Sequence, residues 1–286
     1  NDNLIANRCL FFDNHSSEGG AIYLNLSYGT VLGQCTLSNN YSSGGEGGAI
    51  YADAGKITLN QSTLNGNTAD YGGAIYGSEF GVIDLSLNNC TLTGNAANSS
   101  GGAIYLVPFL PYTLSLNNTT ITENSAPTAG GIEGAGSWYI NNSIVASNSV
   151  GNVSHSGGFG ALTYTGINLT SGDPMLAPLG DYGGPTQTMP PLPGSPAIDP
   201  VGGDTTSVLA TDQRGLPRVV NGIVDVGAVE VQAAASAPAD ITGATKLGDG
   251  TFQLSFTNVP GASFEVLAAT NVALPTSNWT TLGSAS

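Results

Sequence analysis

The sequence predicts an all-β chain, a right-handed parallel β-helix, and three observations point there. A five-residue signature, GGAIY, occurs at 19–23, 47–51, 72–76 and 101–105, and a degenerate GGIEG follows at 130–134, so successive offsets are 28, 25, 29 and 29 residues. A second motif runs in step between these: a small residue, an apolar residue two positions on, and Asn five positions on. It spans Cys9 to Asn14, Cys35 to Asn40, Ser62 to Asn67, Cys90 to Asn95, Thr119 to Asn124 and Ser143 to Asn148. Between the motifs the local period is two: Ile57 and Leu59 share one parity, with Thr58 and Asn60 on the other, and Ser62 and Leu64 alternate with Thr63, which is the signature of half-buried strands.

Each repeat therefore reads as two or three short strands joined by Gly, Asn and Ser turns. A unit of this size cannot bury its own apolar face and must stack on its neighbours. Rungs of such a stack lie about 4.8 Å apart. Stacking predicts one interior column from Ile22, Ile50, Ile75 and Ile104 and, by alternation, an outward ladder from Tyr23, Tyr51, Tyr76 and Tyr105. Those phenols support packing, or they form a platform for sugar rings, since an aromatic body with a hydroxyl handle suits such ligands.

The paired glycines before Ala-Ile-Tyr suit a sharp turn or a positive φ. Asn14, Asn40, Asn67, Asn95, Asn124 and Asn148 fall where strands turn, and each amide can donate to and accept from its equivalent one rung away. This column is expected to be structural. Cys9, Cys35 and Cys90 share a position with Ser62, Thr119 and Ser143 and are read as small inward side chains, with no nearby cation to lower a thiol pKa.

Composition narrows the function. The chain has 286 residues, 41 of them Gly, with only 9% charged residues and a net charge of −15. Its five basic residues, Arg8, Lys56, Arg214, Arg218 and Lys246, are too few and too scattered to neutralise phosphates. Nucleic acid and anionic membrane surfaces are therefore poor partners. No apolar run approaches the roughly 18 residues of a membrane span, and no basic-then-apolar leader opens the chain. Three cysteines close no disulfide framework and show no zinc spacing. No cofactor or metal is expected.

The repeats resemble those of the polymorphic outer-membrane protein family of autotransporter adhesins, whose paired signatures are GGA[ILV] and FxxN. The first is literal four times; the second is literal at Phe11 to Asn14, with Leu, Ile or Val in place of Phe elsewhere. A further stretch, DPMLAPLGDYGGPTQTMPPLPGSPAID at 173–199 with TDQRGLPR at 211–218 and VDVGAVE at 224–230, resembles the choice-of-anchor Q domain of secreted and surface-attached bacterial proteins. The two resemblances imply an extracellular or cell-surface protein.

The domain boundaries follow. Residues 1–170 read as β-helix repeats and 171–232 as an irregular cap. Its prolines at 185, 190, 191, 193 and 196 cannot continue a ladder, so it is expected to lie across the last rung and cover the exposed strand edges. Arg214 and Arg218, among Asp199, Asp204, Asp212, Asp225 and Glu230, predict at least one charge-assisted pair, with Arg214 the first candidate. Residues 233–240 read as a linker, and 241–286 as a small, incomplete β-sandwich-like module.

No catalytic constellation stands out. Polyuronate lyases need cations or a metal-holding acidic cluster, and hydrolases need two carboxylates roughly 5 to 10 Å apart. Glu18, Glu46 and Asp70 recur near successive glycine pairs and raise the question of calcium binding. His15 and His155 lie isolated in turn-like sequence and are expected at the surface. The favoured function is a non-enzymatic, adhesin-like scaffold. Its partners would be a glycan or host-surface ligand, or further copies of itself if it is the subunit of an extracellular fibre completed by strand exchange or end-to-end stacking. A carbohydrate-active lyase or hydrolase is the remaining alternative.

Overall fold

The structure, a computed structural model, describes residues 3–156, 158–204 and 209–232, residue 248, and the backbone of four strands further on: Ile241–Lys246, Phe252–Phe256, Phe264–Ala268 and Thr280–Ala285. The chain divides into two compact units, Asn1–Gln232 and Ala233–Ser286. No helix occurs among the described residues.

The first unit is a parallel β-solenoid of about 6 turns. Four sheets run along it. The first has seven strands: Ile5–Asn7, Ser27–Gly33, Gly55–Asn60, Ile83–Asn88, Thr113–Asn117, Ser137–Asn141 and Leu162–Thr165. The second has six: Leu10–Phe12, Thr36–Ser38, Thr63–Asn65, Thr91–Thr93, Thr120–Thr122 and Ile144–Val145. The third has four: His15–Glu18, Tyr41–Glu46, Thr68–Tyr71 and Ala96–Ser100. The fourth has six: Ile22–Leu24, Ile50–Ala52, Ile75–Gly77, Ile104–Leu106, Ile132–Gly134 and Val153–His155. Every pairing within these sheets is parallel, and each strand pairs with its counterpart one turn away.

Register follows the repeat. Ile22, Ile50, Ile75 and Ile104 pair in succession and all are buried. Leu32, Leu59, Leu87, Leu116 and Ile140 form a second interior column, and Leu37, Leu64, Leu92, Ile121 and Val145 a third. Each fully buried aliphatic side chain contributes about 1.5–3 kcal/mol, so the stacked columns, not any single turn, hold the fold.

Three corners per turn use left-handed backbone. Arg8, Gln34, Gln61, Asn89, Asn118 and Asn142 have positive φ at the first; Asp13, Asn39, Gly66, Gly94, Glu123 and Ser147 at the second; Gly19, Gly47, Gly72 and Gly101 at the third. The second glycine of each pair serves a different purpose, close approach between turns. A Cβ at Gly73 would lie 2.3 Å from the Gly102 carbonyl oxygen, and one at Gly48 only 2.1 Å from that of Gly73.

The Pro-rich segment corrects an expectation. It does not lie across the last rung. The described residues of 173–230 are irregular, with isolated antiparallel bridges such as Leu176 with Pro191 and Thr211 with Pro217, and they run along the side of the solenoid. Gly227 N donates to Asn142 O, Ala228 N to Thr120 Oγ1, Asn89 Nδ2 to Thr211 O, and Gln61 Nε2 to Asp212 O. The segment is thus a strap that crosses from the sixth turn back to the third along the corner between the first and second sheets. The expected linker at 233–240 lies outside the described residues. In the second unit the strands pair antiparallel, Ile241–Lys246 with Phe252–Phe256 and Phe264–Ala268 with Thr280–Ala285.

Candidate functional site

The asparagine column forms a continuous hydrogen-bonded ladder. Asn14 Nδ2 donates to Asn40 Oδ1 at 2.8 Å, Asn40 to Asn67, Asn67 to Asn95 and Asn95 to Asn124 at 2.8 Å each, and Asn124 to Asn148 at 2.9 Å. Each accepting Oδ1 also takes the backbone N–H of the donor residue, as Asn95 Oδ1 does from Asn67 N at 3.0 Å. The second amide proton reaches a strand carbonyl; for Asn67 it is that of Leu37. The left-handed residue at this corner is the one before each ladder asparagine, so the amide, and not its tolerance of positive φ, explains the column.

At the small-residue position, Ser62, Thr119 and Ser143 hydroxyls donate to the carbonyls of Asn60, Asn117 and Asn141, two residues back. The thiols of Cys9, Cys35 and Cys90 point to the equivalent carbonyls. Cys35 and Cys90 are buried, and burial pushes the Cys90 thiol up to about 12. That keeps it protonated and unreactive.

The tyrosines differ from the expected open ladder. Tyr23 and Tyr51 stack at 5.1 Å, Tyr51 and Tyr76 at 5.3 Å, and Tyr76 and Tyr105 at 5.8 Å. Their faces are consumed by one another, so Tyr51 is only 5% exposed while Tyr23 at the end of the row is 45% exposed. The stack offers ligands its edges and terminal faces, not four open platforms. Its hydroxyl side is tied down: Tyr23 Oη donates to Asp53 Oδ2 at 2.6 Å, and Ser78 Oγ to Asp53 Oδ1 at 2.8 Å. The hydrogen bond to Asp53, with burial, raises the Tyr23 phenol to about 12, and burial raises Tyr51 to about 12.

Glu18 and Glu46 are register partners, and Asp70 accepts the Asn98 amide at 2.7 Å. Burial and the two neighbouring carboxylates raise the Glu46 pKa. Among the described residues, no group of three or more His, Cys, Asp or Glu side chains is placed to hold a metal ion. His15 is exposed, with Nε2 3.5 Å from Asp13 Oδ1. His155, expected at the surface, is half-buried: its ring packs edge-on against Trp138 at 4.8 Å, and Nε2 lies 2.8 Å from Gly136 O.

The strap carries its charges inward. Arg214 Nη2 is 2.7 Å from Asp212 Oδ2 and also donates to Glu230 O. Arg218 is fully buried: Nη1 donates to Gly227 O, and Nη2 to Ala228 O and Asn89 Oδ1. Glu230 Oε2 lies 4.0 Å from Arg218 Nη1 and accepts from Asp225 N. Burial lowers Arg218 to about 10 and raises Glu230 to about 7. Sequence reasoning missed Gln213. Its Nε2 donates to Thr63 Oγ1 at 2.8 Å and Thr186 Oγ1 at 2.9 Å, and its Oε1 accepts from Thr91 Oγ1 at 2.6 Å. Only the alternation of TDQRGLPR, with a buried amide between two charges, hinted at it.

Four segments of the chain, 8–25, 34–53, 61–78 and 89–106, match the Chlamydia polymorphic membrane protein (Chlamydia_PMP) repeat. Each runs from the corner before the second sheet to the end of a strand of the fourth. No curated protein and no solved structure is significantly similar to the chain.

Proposed function

We propose that the protein is a non-enzymatic, adhesin-like scaffold displayed at a cell surface. The observation that carries this reading is the match of four consecutive turns to the polymorphic membrane protein repeat, on a solenoid whose repeated polar side chains are spent on the fold itself. Catalytic side chains are kept reactive by perturbed, accessible environments; here the asparagines, hydroxyls and thiols of the repeat are locked to backbone. The resemblance of 173–230 to the choice-of-anchor Q domain supports attachment to the cell exterior. The strongly acidic surface favours a solvated, non-associating exterior. A glycan or another surface-borne molecule would be the partner, met by the exposed side of the solenoid, including the edges of the tyrosine stack.

The test is twofold: immunolabelling of intact expressing cells with and without external protease, and adherence to cultured cells of beads coated with the chain. Surface labelling lost on protease treatment, with bead adherence above that of albumin-coated beads, is expected. Labelling only after permeabilisation, or release of reducing sugar from a polysaccharide panel, would overturn the reading.

A second reading, the fibre subunit, is favoured by one observation. Leu10 and Phe12, on either side of Phe11 in one strand of the second sheet, are 67% and 55% exposed and form an apolar patch on the flank of the solenoid. Sedimentation velocity at rising concentration distinguishes the two: a constant monomer rules out the fibre, and growing species whose assembly is blocked by Phe12→Lys support it.

A further inference from the structure

We infer that the groove between the first two turns and the strap is a binding site for a carboxylate-bearing sugar. The groove is open to solvent, measures about 700 Å³ and brings Arg8, Leu10, Gln34 and Thr36 of the solenoid opposite Pro185 and Arg214 of the strap. That volume lies within the range of small-ligand sites, about 300–1,000 Å³.

Charge makes the groove unusual on this molecule. The chain carries −15 overall on five basic residues, yet two of the five line this one groove. Of the others in the first unit, Lys56 is paired with Asp84 at 3.7 Å and Arg218 is buried. The Arg8 guanidinium is exposed and steadied through a single hydrogen bond, Nε to Gln34 Oε1 at 2.8 Å. Its two terminal amines have no protein acceptor among the described residues, which leaves the fork that recognises a carboxylate in two-point fashion free. Arg214 is fixed from behind, with Nε and Nη2 both on Asp212 Oδ2 at 2.9 and 2.7 Å, and forms a rigid wall of the groove.

The rest of the lining suits a sugar ring. Gln34 holds its amide in a chain that continues to Gln61 at 3.2 Å, and the partly exposed Thr36 hydroxyl has no protein partner among the described residues. Leu10 and Pro185 supply exposed apolar surface for the C–H face of a pyranose. Asp212 already neutralises Arg214, so the unmatched positive charge in the groove is that of Arg8, which a carboxylate pairs and a neutral sugar does not. This site is separate from the tyrosine stack, and its failure would leave the scaffold reading untouched.

The experiment is titration of the full chain with glucuronate, N-acetylneuraminate, glucose and N-acetylglutamate amide, by saturation-transfer NMR and calorimetry. Both acidic sugars should bind and glucose should not. Arg8→Gln should weaken binding about tenfold, the worth of one charge-assisted contact, Arg8→Lys should recover part of it, and Lys56→Gln should change nothing. Cys9, half-buried in the same groove, should alkylate several-fold more slowly with glucuronate bound. Equal binding of glucose, unchanged affinity in Arg8→Gln, or no binding of either acidic sugar at tens of millimolar would overturn the assignment. N-acetylglutamate amide binding as well as glucuronate would overturn the sugar class and point to an acidic peptide.

Discussion

Asn67 donates its side-chain amide to Asn95 one turn on, at 2.8 Å, while its own oxygen receives both the backbone N–H and the amide of Asn40 one turn back. Asn67 is therefore saturated on all sides in a buried site. Asn67→Ala strands the Asn40 donors and the Leu37 carbonyl, which costs roughly 3–5 kcal/mol at about 1–3 kcal/mol per stranded group. Asn14 is exposed and makes only the outermost rung, so Asn14→Ala costs about 1 kcal/mol or less. Urea unfolding followed by Trp138 emission, in a Trp279→Phe background, measures both. Equal costs at the two positions would show that the ladder does not stabilise the solenoid.

The two kinds of glycine separate in the same assay. A Cβ on Gly73 meets backbone oxygens of Gly102 and Ala96 at 2.3 and 2.6 Å, and neither atom can retreat without parting the turns. Gly94 is left-handed at φ +64, but a Cβ added there would meet nothing nearer than Gly66 N, 3.8 Å away. Gly73→Ala is expected to abolish cooperative folding or cost more than about 3 kcal/mol, and Gly94→Ala about 1 kcal/mol.

Tyr51 sits between two rings, Tyr23 at the end of the row. Tyr51→Ala should cost about 3–5 kcal/mol, as for other buried aromatics, and Tyr23→Ala under half of that. Tyr51→Phe keeps the stack and should lose about 1 kcal/mol or less. A Tyr23→Ala cost equal to that of Tyr51→Ala would contradict the unequal burial.

Glu230 gives the strap a pH dependence. Burial lifts its folded pKa to about 7 from an ordinary 4.5, so the native state holds the proton more tightly than the unfolded chain. Its stabilising effect is complete below pH 4.5 and is lost as pH rises through about 7. Stability should fall by about 3 kcal/mol at most between pH 5 and 8, and Glu230→Gln should flatten that slope. A stability that climbs over this range would give the shift the wrong sign.

Docking of the strap rests on Gln213, which bridges Thr63 and Thr91 of two turns to Thr186 of the strap itself. Gln213→Ala should leave the solenoid folded and expose 173–232 to trypsin at Arg214 and Arg218. Mass spectrometry of timed digests reads this directly, and unchanged cleavage would show that other contacts hold the strap.

Much of the solenoid was legible because its repeat sets register: recurrence of GGAIY once per turn places Ile22, Ile50 and Ile75 on neighbouring strands. The asparagine ladder was legible for the same reason. The strap's course was not, since it depends on pairs such as Gln61 with Asp212 and Gln213 with Thr63, about 150 residues apart and outside any period. The stacking of the tyrosines was also hidden. Alternation says which side a residue faces, but not that rings about one rung apart will cover each other instead of facing water.

Each glycine-pair signature opens a new turn laid on the one before, and everything else in the molecule depends on that stacking. Methyl-labelled isoleucine NOE spectroscopy tests it, because stacked positions lie about 4.8 Å apart. Cross-peaks are predicted for Ile22 with Ile50, Ile50 with Ile75, Ile75 with Ile104 and Ile104 with Ile132, following the strand register. Their absence, or a direct cross-peak between Ile22 and Ile104, would contradict the stack.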